Sequence, residues 1–315
     1  MKKITVLLLA LFLALPLAGC RAEETERTIN VYNWGEYIYE SILEEFEEET
    51  GIHVNYKTFA SNAILYSAIK GGGNNYDVIF PSDYMVARMQ EEGMLRELDY
   101  SKIPNAANID PRYLNPAYDP EQKYSIPYMW GTTGLIYNPK FVSAEDVKSW
   151  DVLRDPKNAG HILMKEAFRD VYSVLLVALN KDAIDAGEKD LATICFDNSD
   201  ESIKMVEDYL MSFRDGVCGW EADFGKDQMT KEQAWINLSW SGDAQWAIEE
   251  AAEMGVELAY SVPESGSVVW FDGWVIPKYA RNVKAARYFI NFMCKPENAI
   301  RNMDVIGYVS ALGGD

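Results

Sequence analysis

From Thr28 onward the chain switches repeatedly between two hydrophobic periods, and that alternation limits its fold more than any single motif does. Thr28 to Tyr32 alternates like a strand. Tyr37 to Thr50 then sets Ile38, Ile42, Leu43 and Phe46 on one helical face with glutamates opposite, and Gly51 stops it. The cycle repeats with a strand at Ile52 to Tyr56 and a helix at Ala63 to Lys70 closed by Gly71, Gly72 and Gly73. A buried strand at Tyr76 to Phe80 ends at Pro81, and a helix at Tyr84 to Glu92 ends at Gly93. Strands alternating with helices imply crossover units around a mostly parallel sheet, an α/β fold.

The second half reads the same way. Ile126 to Tyr137 carries Pro, Gly and Thr between extended stretches and is expected to cross from one lobe to another, with a strand at Gly134 to Tyr137. Strands are expected at Ile162 to Met164, Trp235 to Trp240, Val256 to Val262 and Val268 to Ile276, and helices at Val171 to Leu179, Ser202 to Phe213, Gly242 to Met254 and Asn282 to Cys294. There is no internal repeat and no low-complexity tract.

The N-terminus carries an address rather than a fold. Lys2 and Lys3 precede a run from Ile4 to Ala18 that is apolar apart from Thr5 and too short for a comfortable membrane span, which needs ~20 residues. Leu17-Ala18-Gly19-Cys20 then reads as a lipobox, so residues 1–19 are expected to be a signal peptide and Cys20 a lipidated N-terminus. Two or more acyl chains hold a protein stably at a membrane surface. Residues 20–27, polar and acidic, read as its tether. What remains, roughly 300 residues, exceeds a usual single core, so two lobes are expected.

The formal charge of −20 argues against nucleic acid or an anionic membrane patch as a partner and favours a cationic ligand. Of the three remaining cysteines, Cys195 and Cys218 could pair outside the cell, and Cys294 reads as a core residue. His53 and His161, the two histidines, stand in no recognised nucleophile motif. No Cys-x-x-Cys or paired-histidine metal pattern is present, and Gly71 to Gly73 lacks the Lys-Ser/Thr of a phosphate loop. Metal and cofactor are therefore not expected. Paired acids for glycoside hydrolysis remain open, since spacing alone does not decide them.

Ligands of open α/β sheets bind beyond the carboxyl ends of the strands. The segments 33–37 and 82–84 sit there, and four strand or loop ends share one composition, an aromatic face beside a carboxylate: Trp34 with Glu36 and Tyr37, Asp83 with Tyr84, Trp240 with Asp243, and Trp270 with Asp272. Singly, each is compatible with a core aromatic beside a solvated acid. Together they suit an elongated alkyl polyamine, whose chain wants flat apolar walls and whose ammoniums want π-faces and carboxylates.

At these positions the chain resembles the spermidine/putrescine-binding proteins of bacterial ABC importers. The resemblance runs from about Thr28 to Ala311 and rests on Tyr-Asn-Trp-Gly-Glu-Tyr (32–37), Tyr-Asp-Val-Ile-Phe-Pro-Ser-Asp-Tyr (76–84), Tyr-Ser-Ile-Pro-Tyr-Met-Trp-Gly (124–131), Trp-Phe-Asp-Gly-Trp-Val-Ile-Pro (270–277) and Ile-Gly-Tyr (306–308), in the family's order. It implies a two-lobe periplasmic-binding-protein fold, type II-like, each lobe a mixed, mostly parallel sheet flanked by helices, with the ligand in the interlobe cleft. The implied divisions are 28–132 and 268–308 for one lobe, 133–267 for the other, and 309–315 as the start of a second-lobe segment that continues in relatives. Trp34, Tyr37, Trp240 and Trp270 are implied as aromatic walls, Glu36, Asp170 and Asp272 as ammonium partners, Ser82, Asp83 and Tyr84 as a contact loop, and Tyr308 as a contact near the hinge. Asp243 is similar to putrescine-selective relatives, whereas Trp270 and Glu36 are similar to spermidine-selective ones. Ala167 stands where spermidine binders carry an acid, and Gly35 where a hydroxyl residue is common. The implied partners are a polyamine, a permease and an ATPase, for a monomeric chain that performs no chemistry. A different small ligand, a secreted enzyme using paired acids, and a sensor subunit are the competing readings.

Overall fold

The computed structural model describes residues 27–313 apart from 73, 74 and 223. The readings on residues 1–19 and on Cys20, and on all of the tether but Arg27, lie outside the described residues. Ten strands occur in chain order: β1 (Thr28–Trp34), β2 (His53–Phe59), β3 (Val78–Ile79), β4 (Ser125–Tyr137), β5 (Ile162–Lys165), β6 (Val217–Glu221), β7 (Ile236–Trp240), β8 (Ala259–Ser261), β9 (Val269–Val275) and β10 (Val309–Ser310). The α-helices are α1 (Ser41–Thr50), α2 (Asn62–Lys70), α3 (Asp83–Glu91), α4 (Phe168–Leu179), α5 (Lys181–Asp185), α6 (Leu191–Ile194), α7 (Asp200–Phe213), α8 (Gly225–Thr230), α9 (Ser241–Glu253), α10 (Val283–Met293) and α11 (Pro296–Ile306).

The strands follow the order β2-β1-β3-β9-β4-β7-β5-β6, with β8 and β10 also pairing β4. Pairing is parallel among β1, β2 and β3 and among β5, β6 and β7; β4 and β9 run antiparallel to their neighbours. The mixed α/β reading of each half is therefore correct, but the sheets are not mostly parallel: β4 and β9 add antiparallel pairings that equal or outnumber the parallel ones. The segment 126–137, read as a crossing with a short strand at its end, is one continuous 13-residue strand. At about 3.3 Å per residue it spans roughly 40 Å and belongs to both halves. Residues 125–132 pair with β9 and residues 133–137 with β7. Pro127, which cannot donate a ladder hydrogen bond, sits where the β4–β9 register shifts, so the bulge accommodates it.

Each half is covered on both faces. In the first, one cluster centres on Phe46, Tyr128, Trp274 and Phe289 and another on Tyr32, Met85 and Met89. In the second, Trp150, Leu175 and Ile236 form one cluster and Ala244, Ala247 and Leu258 the other. Parallel strands buried on both faces lose the period-two pattern, which is why β5 (Ile-Leu-Met-Lys) is buried throughout.

Several expectations are corrected. Helix α1 starts at Ser41, because Tyr37 and Ile38 are buried in the turn before it. Strand β6 and helix α11 were not anticipated: β6 mixes Cys, Gly and Trp without clear alternation, and α11 opens on Pro296 and closes on left-handed Gly307. Residues 309–313 pair with the first half rather than the second, through β10 against Met129 and Trp130 and through Leu312 against Ile109. Cys195 and Cys218 are both free, and Cys294 is buried as expected. His53 is exposed at the start of β2 and pairs with Glu47. No helix of the described residues is long and apolar enough to cross a membrane.

Candidate functional site

The carboxyl ends of β1, β5, β6 and β7 carry Trp34, Lys165, Glu221 and Trp240. Trp34, Trp240 and the loop after β3 border a cavity of about 1010 Å³ between the two halves. Eleven of the twelve expected site residues line it: Trp34, Tyr37, Ser82, Asp83, Tyr84, Asp170, Trp240, Asp243, Trp270, Asp272 and Tyr308. The twelfth, Glu36, is turned away. It is largely exposed, has a left-handed backbone (φ 49°), and pairs with Lys226 of the second half.

Local structure fixes the aromatic walls. The Trp34 indole donates to Phe80 O at 2.9 Å, tying β1 to the loop after β3. Its ring stands edge-on to Trp240 across the cleft, with centroids 6.2 Å apart. Trp270 packs over Gly131, where an added Cβ would come within 2.6 Å of the ring, so this close approach requires glycine. Tyr308 lies likewise against Gly242 at the start of α9 and meets Trp270 (5.5 Å) and Tyr37 (5.0 Å) edge-on.

The acids fall into two groups. Asp83, Asp170 and Asp272 form no ion pair among the described residues. Asp83 accepts from the backbone amides of Tyr84 and Phe271, linking α3 to β9. Asp170, at the start of α4, accepts the Trp240 indole N–H at 2.7 Å. Asp272 faces Ser82 across an isolated bridge, and its Oδ1 and the Tyr37 hydroxyl are buried near enough to act on each other but without a hydrogen bond of ordinary geometry. Burial pushes Asp83 and Asp170 up to about 6 and Asp272 up to about 7; the charge of Asp83 adds to the rise at Asp170, and those of Asp83 and Asp170 add to it at Asp272.

Asp243 belongs to the second group. Its Oδ2 meets Lys165 at 2.9 Å, and its Oδ1 accepts from the Tyr308 hydroxyl at 3.0 Å with Lys226 at 3.8 Å. Burial would raise this carboxyl, yet the two ammoniums outweigh it and hold it below its usual range. Among the described residues no group of three or more His, Cys, Asp or Glu could hold a metal ion.

The family model of bacterial extracellular solute-binding proteins matches residues 41–313. The chain belongs to that family. Among its relatives is the spermidine/putrescine-binding periplasmic protein of Escherichia coli, 32% identical over 96% of this chain and 82% of that protein. The putrescine-binding periplasmic protein of the same organism is 29% identical over 91% of this chain and 78% of its own length. Among solved structures, a spermidine/putrescine ABC transporter substrate-binding protein from Streptococcus pneumoniae superposes with a TM-score of 0.71 at 37% identity, over 91% of this chain and 83% of that one.

In this solute-binding chain, residues outside the expected set also shape the cavity. Asn62, buried at the start of α2, donates to Ser82 Oγ at 2.9 Å and accepts from its amide, fixing the contact loop. Arg169 lines the cleft over the Tyr84 ring. Lys165, Glu221 and Lys226 form the ionic group around Asp243. The positional rule that selected strand ends would have reached Lys165, the last residue of β5. It was applied only to aromatics and acids, and a basic residue did not qualify.

Proposed function

We propose that this chain is the capture subunit of an importer and binds a small protonated polyamine, of the spermidine and putrescine class, in the cleft between two lobes. The observation that carries the reading is the group Asp83, Asp170 and Asp272, the first two half-buried and the third buried, without ion pairs among the described residues and lining one cavity with tryptophan and tyrosine faces. Buried carboxylates without cationic partners are costly, and a cation that enters among them relieves that cost. Asp272 Oδ1 and the Tyr37 hydroxyl offer acceptors to an ammonium, and the rings of Trp34, Trp240 and Trp270 offer apolar walls for its alkyl chain. The names of the relatives support the same ligand class.

Residues 28–132 and 268–308 make up one lobe and 133–267 the other, with β4 running between them. Closure is favoured by ligand because both lobes then touch it. The chain performs no chemistry, acts as a monomer, is anchored through a lipid on Cys20 at the outer face of the cytoplasmic membrane, and passes its ligand to a permease driven by an ATPase. Calorimetric titration with putrescine, spermidine, spermine and a panel of amino acids tests the ligand class. Saturable binding of an amine at micromolar levels is expected. Indifference to every amine at millimolar levels, or preference for an amino acid, would sink the reading.

A further inference from the structure

Lys165 is 2% exposed, and its surroundings look like those of a bound amine. Its ammonium lies 4.3 Å from the centroid of the Trp240 ring, 2.9 Å from Asp243 Oδ2 and 3.1 Å from Glu221 Oε1, and it donates to Ala222 O at 2.6 Å. An indole face, carboxylates and a carbonyl are what the cleft would offer to a ligand ammonium. We infer that Lys165 determines specificity by filling, from within the chain, the ammonium subsite of Trp240 and Asp243, so that the cleft accepts a short alkyl diamine and disfavours triamines and tetraamines. This inference rests on the polyamine reading above.

Two further observations point the same way. Lys226 pairs with Glu36 and approaches Asp243, adding a second cation of the chain to that region. Of the five cavity-lining acids without ion pairs among the described residues, Glu166 and Asp190 are exposed and Asp83 already accepts from two backbone amides, which leaves Asp170 and Asp272 as the enclosed acids with capacity for ligand. Two acids match two ammoniums. A third ammonium would have to displace a tethered lysine, whose effective concentration at its own subsite is high.

A purely structural ion pair in the second half would contribute to stability and affect all amines alike, so the decisive readout is selectivity. The full chain is titrated calorimetrically with 1,4-diaminobutane, spermidine and spermine, as wild type, as Lys165→Met and as Lys165→Met/Glu221→Gln. The single substitution leaves Glu221 as a buried charge without a cation, which threatens folding. The double one removes that charge, and the unpartnered Asn237 Oδ1 beside it allows the Asn237 amide to turn and meet the new donor. Wild type is expected to bind the diamine at least tenfold more tightly than spermidine. Both variants are expected to move that ratio at least tenfold toward spermidine. An unchanged ratio in the folded variants, or equal weakening for every amine, overturns the inference. If neither variant folds, the wild-type order decides, and tighter binding of the triamine overturns it. Failure of wild type to bind any amine overturns the polyamine reading instead.

Discussion

Two groups of acids meet at one cavity and are held in opposite states. Glu221 is fully buried behind the cleft and Asp243 is mostly buried at its wall; each has a lysine ammonium within 3.1 Å, and Asp243 is held below its usual range. Asp272 is buried and Asp83 and Asp170 are half-buried; none has such a partner, and they are pushed up to about 7, 6 and 6. Desolvation acts on both groups, and in Asp243 the two ammoniums reverse its effect, so the difference is the counter-ion. The chain completes one group itself and leaves the other for something to enter. If that contrast is right, the largest effects come from the open group. Asp272→Ala should weaken polyamine binding at least tenfold, in line with the roughly 1.5–3 kcal/mol of a charge-assisted hydrogen bond. Trp270→Ala, which removes a wall and a cation–π face, should also cost about tenfold. Calorimetry on both variants checks this, and unchanged affinity in either would remove that residue from the site.

Titration sharpens the comparison. Amine ligands stay protonated well above pH 8, so acidification acts on the acids alone. As pH falls from 8 to 5.5, Asp272, then Asp83 and Asp170, take up protons and lose their attraction for a cation. Affinity should fall by on the order of tenfold, with protons released on binding near pH 7. Stability of the free protein moves the other way. These folded pKa values lie above the unfolded ones, so the contribution of the three acids is fully present below the unfolded values near 4. It is lost as pH rises through 6 to 7. Asp272→Asn should therefore raise Tm over wild type at pH 8, and the gap should close by pH 5. A gap independent of pH would mean that Asp272 is not the buried charge described.

The sequence made the scaffold legible where local pattern and tertiary demand agree. Alternating periods disclosed the α/β class, aromatic-acid pairs disclosed eight residues of one cavity, and the family resemblance added Ser82, Asp170 and Tyr308. It was less informative where the deciding partner is remote in sequence. Asp243 reads as a ligand contact beside Trp240, and only the arrival of Lys165 from β5, 78 positions away, shows it to be satisfied internally. Glu36 reads as an ammonium partner, but its left-handed backbone turns it toward Lys226 instead. Residues 309–313 could have joined either half, because two residues of strand carry no periodicity and their pairing with β4 is a tertiary choice.

The smallest expected effect is the most discriminating. Asp243 lines the cavity as fully as Asp272 does, and a count of acids would rank the two together. Their partners separate them. Asp243→Asn removes a charge already balanced by Lys165 and Lys226, and Lys165 keeps Glu221, so no ion is stranded. Diamine affinity should change by less than about threefold, which is the size expected when only a screened, longer-range charge is lost. Spermidine affinity should likewise stay low, because Lys165 still occupies the face of Trp240. A tenfold loss of diamine binding in Asp243→Asn, measured beside Asp272→Ala under the same conditions, would show that ligand reaches Asp243 despite the lysine and would merge the two groups into one.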